Sequence, residues 1–344
     1  MKIAIVRLSA LGDIIQSAIV LQFIKAFKSD IEIHWFVDEK FKEILSDHRH
    51  IDRIYALPLK EKKLLPALTI LLEARKNNYD AVLDLQGLIK SALVSRILSY
   101  NTFGFDKNSL RESLAHNFYN QKLSISYNEN VFVRYLSLAA FALNAPFEPR
   151  EIHFKRPLFV ANPTLKEELQ RRLNLNFEHK NILIHTGSSV ENKIYPQTRL
   201  AILCKLLIAY DAQIRIFLAW GSEGEKKFAQ ELMELGKMDQ DRLVLLPRLS
   251  LQELIALTKM MRLIIGNDSG PTHLAFAMNK PSITIFGASW DKRVCLLGPQ
   301  NKSINAGKKF NKNKNFKFDK SDFCIRRIDE EEIFALAKDL LDEG

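Results

Sequence analysis

Lys2-Ile3-Ala4-Ile5-Val6-Arg7-Leu8-Ser9-Ala10-Leu11-Gly12-Asp13 runs from β-branched apolar residues through a turn of small residues into a helical pattern. From Ile14 to Phe27 the apolar spacing is that of a helix, with Ile15, Ile19, Phe23 and Phe27 on one face. Strand, turn and helix make half of a β-α-β unit, and the pattern recurs. Residues 31–37, 52–57 and 79–85 read as further strands, each followed by helical spacing. A second series begins at Asn181-Ile182-Leu183-Ile184-His185 and continues through 214–218, 243–246, 263–265 and 283–286. Alternation of this kind predicts an α/β protein with two separate parallel sheets.

The 344 residues exceed what one hydrophobic core usually serves, so two domains are expected. Pro146, Pro149, Pro157 and Pro163 fall between the two series, where a continuing helix or central strand would lack donors. The reading is a first lobe over 1–165, a second over 166–327, and a terminal segment 328–344 whose helix packs back on the first lobe. Facing α/β lobes would leave a cleft at the carboxyl ends of their strands, so chemistry is sought at the strand-to-helix turns.

Composition narrows the classes. With 47% hydrophobic and 26% charged residues the chain is ordinary globular material. Cys204, Cys295 and Cys324 lie far apart with no C-x-x-C spacing, which argues against a disulfide framework or structural zinc and fits a reducing compartment. Arg7 interrupts the first apolar run, so no signal peptide is expected, and no run of about 18 apolar residues suggests a membrane-spanning helix. The net charge of +10 admits a nucleic acid, an anionic membrane or a phosphorylated substrate.

The turns carry the candidate residues. Ser9 to Asp13 is not a dinucleotide fingerprint; it offers Gly12 for close backbone approach and the carboxylate of Asp13, either a helix cap or a group facing substrate. His185-Thr186-Gly187-Ser188-Ser189 through Lys193-Ile194-Tyr195-Pro196 is not a Walker loop, yet its hydroxyls, glycine and lysine suit a phosphate as well as they suit a plain polar connection. Gly266-Asn267-Asp268-Ser269-Gly270-Pro271-Thr272-His273 ends a strand and starts a helix, which suits an anion; Asp268 or Ser269 could equally cap that helix. Glu225, after Trp220-Gly221, could hold a ribose or merely start a helix. No H-E-x-x-H or G-x-S-x-G occurs, so zinc-protease and serine-hydrolase readings fail.

Taken in order, Ser9-x-x-Gly12-Asp13, Lys193-x-Tyr195-Pro196 and Asp268-Ser269-Gly270-x-x-His273-Leu274 resemble the lipopolysaccharide heptosyltransferases of glycosyltransferase family 9. Tyr79-Asp80-Ala81-Val82 with Gln86-Gly87-Leu88, and Arg111-Glu112-Ser113-Leu114-Ala115 with Phe118-Tyr119-Asn120, resemble the branch that adds the first heptose. The resemblance implies the GT-B architecture of two Rossmann-like lobes. It also implies inverting transfer of L-glycero-D-manno-heptose from ADP-heptose to the inner 3-deoxy-D-manno-octulosonic acid (Kdo) of Kdo-lipid A, at the cytoplasmic leaflet of a bacterial inner membrane. In that light Asp13 matches the general base and Lys193 the diphosphate-side cation. Ser188, Ser189, Glu225, Asp268, Ser269, Gly270 and His273 match donor contacts, and Ser9, Gly12 and Arg111 belong to the acceptor side. The loop at Ser188-Ser189 departs from the family's shorter, threonine-containing one. No cofactor or dedicated metal site is implied, ADP-heptose being a substrate; stimulation by Mg²⁺ stays compatible, and a monomer is expected. The rival readings are transfer to a heptose-terminated acceptor and, from charge alone, nucleic-acid binding.

The charge itself is local. Residues 301–327 hold nine lysines and arginines against Asp319 and Asp322, or +7 of the net +10, so no nucleic-acid groove along the protein is indicated. That segment suits an anionic surface, and Lys60, Lys62 and Lys63 suit the phosphates of the acceptor.

Overall fold

The structure, a computed structural model, describes residues 1–59, 64–237, 239–306 and 318–343. The chain divides into two compact units, Met1–Leu158 and Phe159–Gly344.

In the first unit the strands β1 (Lys2–Val6), β2 (Glu32–Asp38), β3 (Arg53–Leu57), β4 (Ala81–Asp84), β5 (Thr102–Phe105) and β6 (Gln121–Leu123) form one parallel sheet in the order β3-β2-β1-β4-β5-β6. Ile3, Ala4, Ile5 and Val6 are fully buried, as expected of a central strand covered on both faces. The helices α1 (Leu11–Ser17), α2 (Ile19–Phe27), α3 (Leu64–Arg75), α4 (Ile89–Leu98) and α5 (Val131–Leu143) cover the sheet. The helix expected over 14–27 starts earlier, at Leu11, and is divided at Ala18, where the Ser17 hydroxyl donates back to the Ile14 carbonyl at 3.0 Å.

The second unit repeats the plan. Its strands β7 (Lys180–His185), β8 (Ile214–Ala219), β9 (Leu243–Leu245), β10 (Leu263–Asn267), β11 (Ser282–Phe286) and β12 (Asn301–Asn305) lie in the order β12-β11-β10-β7-β8-β9, again all parallel. The helices are α6 (Pro163–Arg172), α7 (Gln197–Tyr210), α8 (Glu223–Gly236), α9 (Leu251–Met260), α10 (Gly270–Ala277), α11 (Asp291–Val294) and α12 (Glu330–Asp342).

Two details correct the expected organisation. The division falls at Leu158, ahead of residue 165, because α6 is capped by Asn162, buries Leu169 and packs on α9 of the second unit. The terminal helix α12 belongs to the second unit as well. It buries Ile333, Ala337, Leu340 and Leu341 in the same apolar cluster as Leu203 and Leu207 of α7.

Each sheet reverses its strand order once, between β1 and β4 in the first unit and between β7 and β10 in the second. Open α/β sheets bind ligands outside the carboxyl ends of the strands at such a switch point. Residues 7–13 and 85–87 lie at the first, residues 186–193 and 268–270 at the second.

Candidate functional site

At the first switch point the carboxylate of Asp84, at the end of β4, is fully buried and needs donors to be tolerated. It accepts from the backbone N–H groups of Gln86 (2.9 Å) and Gly87 (3.0 Å) and from the hydroxyls of Ser91 (2.8 Å) and Tyr119 (2.7 Å). Burial nonetheless pushes its pKa up, with these four donors opposing the rise. Gly87 completes the turn at φ +71°, where a side chain would also meet Leu110.

The turn so fixed holds its neighbour. The amide oxygen of Gln86 accepts from the backbone N–H of Leu8 (2.8 Å) and Ser9 (3.3 Å), and the Leu85 carbonyl accepts from Nη1 of Arg7 at 2.7 Å. Arg7 is buried, lies 5.5 Å from the Tyr135 ring centre, and forms an ion pair from Nη2 to Oδ2 of Asp13 at 2.8 Å. Burial alone would lower the Arg7 pKa; Asp13, Tyr135 and Asp84 outweigh it and raise the pKa.

Asp13 is not the helix cap. Ala10 occupies that position, and Asp13, in the first turn, reaches back to the Ala10 N–H at 3.3 Å. Both contacts use Oδ2, so Oδ1 keeps its lone pairs free of protein partners among the described residues, on a side chain 44% exposed. Ser9 and Gly12 share this turn. Arg111 is exposed, one residue after Leu110, whose side chain lies beside Gly87. Lys60, Lys62 and Lys63 lie outside the described residues, as do five of the nine cations of 301–327.

At the second switch point Asp268 is the centre. Its Oδ2 meets Nζ of Lys193 at 2.5 Å and the Ser289 hydroxyl at 2.8 Å, while Oδ1 meets Nε2 of His273 at 3.1 Å. Its pKa is held well below the usual carboxylate range: burial acts to raise it, but His273 and Lys193 prevail. Lys193 also lies 5.1 Å from the Phe318 ring centre. Ser188 donates to the Asp268 backbone carbonyl at 3.2 Å, and the buried Asn267 side chain ties the strand ends together, accepting from Tyr195 N–H and donating to the Thr186 carbonyl, both at 3.0 Å.

Asp268 therefore does not cap α10, and Ser269, at the cap position, makes no capping bond; its hydroxyl lies 3.2 Å from that of Thr272. The start of α10 thus retains the partial positive charge of uncapped N–H groups. Ser189 is exposed. Glu225 accepts from the Gly221 N–H at 2.6 Å and lies against Gly187, where a β-carbon would come within 2.1 Å of the Glu225 carboxyl carbon. The second unit thus gathers Ser188, Lys193, Asp268 and His273 into one network and sets Glu225 against the same loop. His185, behind it, is fully buried, with its pKa pushed down to about 3 by desolvation.

The sequence reading passed over Arg7, Asp84, Gln86, Asn267 and Ser289 as working residues. Arg7 alone carried a signal, a cation ending a buried apolar strand. Among the described residues no group of three or more His, Cys, Asp or Glu could hold a metal ion, and no helix is long and apolar enough to cross a membrane.

Comparison with known proteins bears on both units. A sequence profile described as "Glycosyltransferase family 9 (heptosyltransferase)" matches residues 70–323. The chain is 63% identical over 340 residues to a Lipopolysaccharide heptosyltransferase 1 from Campylobacter coli, covering 99% of each. It is 28% identical over 300 residues to the Lipopolysaccharide heptosyltransferase 1 of Escherichia coli strain K12, covering 83% of this chain and 88% of that one. Among solved structures, E. coli heptosyltransferase WaaC with ADP superposes with TM-score 0.73 at 23% identity, covering 99% of this chain and 100% of that one. E. coli ADP-heptose lps heptosyltransferase II gives TM-score 0.76 at 19% identity, covering 100% and 99%. These two likenesses establish the expected GT-B class of fold.

Proposed function

This chain belongs to glycosyltransferase family 9 and is a heptosyltransferase, and from that premise we propose that it transfers L-glycero-D-manno-heptose from ADP-heptose to the inner Kdo of Kdo-lipid A, with inversion. The acceptor hydroxyl oxygen attacks the anomeric carbon, the bond from that carbon to the β-phosphate oxygen breaks, and ADP leaves. The hydroxyl proton goes to Oδ1 of Asp13. That oxygen, without a partner among the described residues on a carboxylate that Arg7 and the Ala10 N–H hold through Oδ2, is the observation that carries the assignment. A positioned base contributes roughly 10²–10⁴-fold.

As the bond to the anomeric carbon breaks, the leaving diphosphate gains one negative charge that the second unit must meet. Lys193 is the cation that meets it, and the uncapped start of α10 at Ser269 and Gly270 adds a partial charge of about +0.5. Together they supply the positive field that a divalent cation gives in other transferases. Glu225 serves the nucleotide ribose, and Asp268 with His273 orients Lys193 and meets the donor sugar. Ser9, Gly12 and Arg111, with Lys60, Lys62 and Lys63 of the undescribed segment, serve the acceptor. The protein works as a monomer, peripheral to the cytoplasmic leaflet where a lipid acceptor is held.

Product analysis with ADP-heptose and either Kdo-lipid A or a heptose-terminated lipid tests the reading; transfer to the second acceptor alone would assign it to the other branch. Asp13→Asn keeps the size and removes the basicity, so transfer should fall by about 10²–10⁴-fold while calorimetric ADP-heptose affinity stays within about twofold. Turnover near normal in that variant would remove Asp13 as the base.

A further inference from the structure

Helix α3 is apolar on two faces. Ala67, Leu71 and Ala74 are buried toward the sheet, in the cluster shared with Val94 and Leu98 of α4 in the case of Leu71 and Ala74. Leu64, Leu65, Leu68 and Leu72 stand on the other side, 68%, 77%, 40% and 49% exposed. At 100° per residue these four occupy one arc of roughly 100°, which is a continuous stripe along the helix. A stripe of exposed leucines on one helix is not the scatter of single apolar residues found on any surface. The neighbouring helix α4, which packs on α3, also carries an exposed leucine, Leu93, at 44%.

The charges on α3 and α4 that enter no ion pair among the described residues are cations. Arg75 at the end of α3 and Lys90 and Arg96 on α4 are exposed and enter no ion pair among the described residues, whereas the nearby Glu73 is paired with Lys76 at 2.7 Å. An apolar stripe bordered by unneutralised cations is complementary to a bilayer surface with anionic headgroups, where leucines enter the acyl boundary and cations stay among the phosphates. A second copy of the chain is a poorer occupant, since four or five leucines fall short of the ~800 Å² per partner of a stable interface and the bordering cations would repel their copies.

We propose that the outer face of α3 is a membrane-docking surface that seats this enzyme on an anionic phospholipid leaflet. The proposal deepens the function given above, resting on a lipid-borne acceptor, and assigns the attachment to a face of the first unit and not to the basic segment 301–327.

The test is flotation of the purified full chain with vesicles of phosphatidylethanolamine and phosphatidylglycerol, set against pure phosphatidylcholine, for the wild type and for Leu65→Gln/Leu68→Gln/Leu72→Gln. All three positions are exposed and glutamine is a good helix former, so the fold is retained, as circular dichroism checks. The wild type should float with the anionic vesicles only, and the variant's partition should fall by roughly tenfold or more. Its transfer to a deacylated, water-soluble Kdo acceptor should be unchanged. Wild-type protein that ignores anionic vesicles, or a variant that floats equally well, overturns the proposal. So does a wild-type dimer on sedimentation that the substitutions convert to monomer. Flotation that behaves as expected while no heptose is transferred leaves the docking face standing and discards the transferase reading of acceptor and donor instead.

Discussion

Replacing Lys193 by methionine removes one half of a buried ion pair and leaves the other half in place. Lys193 and Asp268 are in contact at 2.5 Å, with side chains 19% and 7% exposed, so the carboxylate left behind has little access to water. Truncating one partner of such a pair costs ~3–5 kcal/mol. Asp268 keeps the Ser289 hydroxyl and His273, which places this case at the lower end, about 3 kcal/mol. For a unit of this size that is a fall in Tm of about 6–12 °C. The pH dependence has a definite sign. The folded-state pKa of Asp268 lies below its unfolded value, so its contribution is complete above the unfolded pKa of ~3.9 and is lost as pH falls through the folded one. Without the lysine the folded pKa rises. The stability gap between wild type and variant should therefore be widest near neutrality. It should narrow in acid, by about 1.4 kcal/mol for each unit of that rise. Urea denaturation followed from pH 7 to pH 3 measures it, and adding Asp268→Asn to Lys193→Met should recover about 1–2 kcal/mol by removing the stranded charge. A gap under about 1 kcal/mol at pH 7, a gap that ignores pH, or a double variant no more stable than Lys193→Met would refute the reasoning.

Two further substitutions probe the two switch points. In Gly187→Ala the new methyl takes the space of the Glu225 carboxyl group and drives it from the Gly221 N–H; ADP affinity should drop by about 10–100-fold with little change in Tm, and calorimetry showing unchanged affinity would separate Glu225 from the nucleotide. In Tyr119→Phe the fully buried Asp84 loses one of its four donors, which should cost the first unit about 1–3 kcal/mol in urea denaturation; a loss below about 0.5 kcal/mol would mean that the remaining three donors suffice.

The strands that sequence reading located each carry a run of apolar residues, continuous in central strands such as β1 and β10, where a parallel strand is covered on both faces. The three it passed over, β5, β6 and β12, are short or polar: β6 has three residues, and β12 reads Asn301-Lys302-Ser303-Ile304-Asn305 at the edge of its sheet, where one side of the backbone has no neighbour to demand a buried run. The terminal helix, Glu330–Asp342, lies within the expected segment 328–344, but its partner was not legible, since an apolar stripe states that it will be covered and not by what.

The same limit explains the site. Asp13, Lys193 and Asp268 stand at strand-to-helix turns, which local pattern reveals. Their supports are remote in sequence and become neighbours only through strand order. Because β1 pairs with β4 in the register that sets Val6 opposite Asp84, Arg7 comes level with the Leu85 carbonyl and Leu8 and Ser9 with the Gln86 amide. Because β7 pairs with β10 with His185 opposite Gly266, Asn267 reaches Thr186 and Asp268 reaches Lys193. Both supports depend on the one pairing in each sheet that joins strands far apart in the chain, and that pairing is what makes a switch point. A cation ending a buried strand, as Arg7 does, must find an anion within reach or pay for its desolvation, and Asp13 in the first turn of the next helix is the nearest. The ion pair was thus derivable from the first thirteen residues; that it leaves Oδ1 without a protein partner among the described residues, as the base proposed at Asp13 requires, needed the Ala10 backbone to be seen.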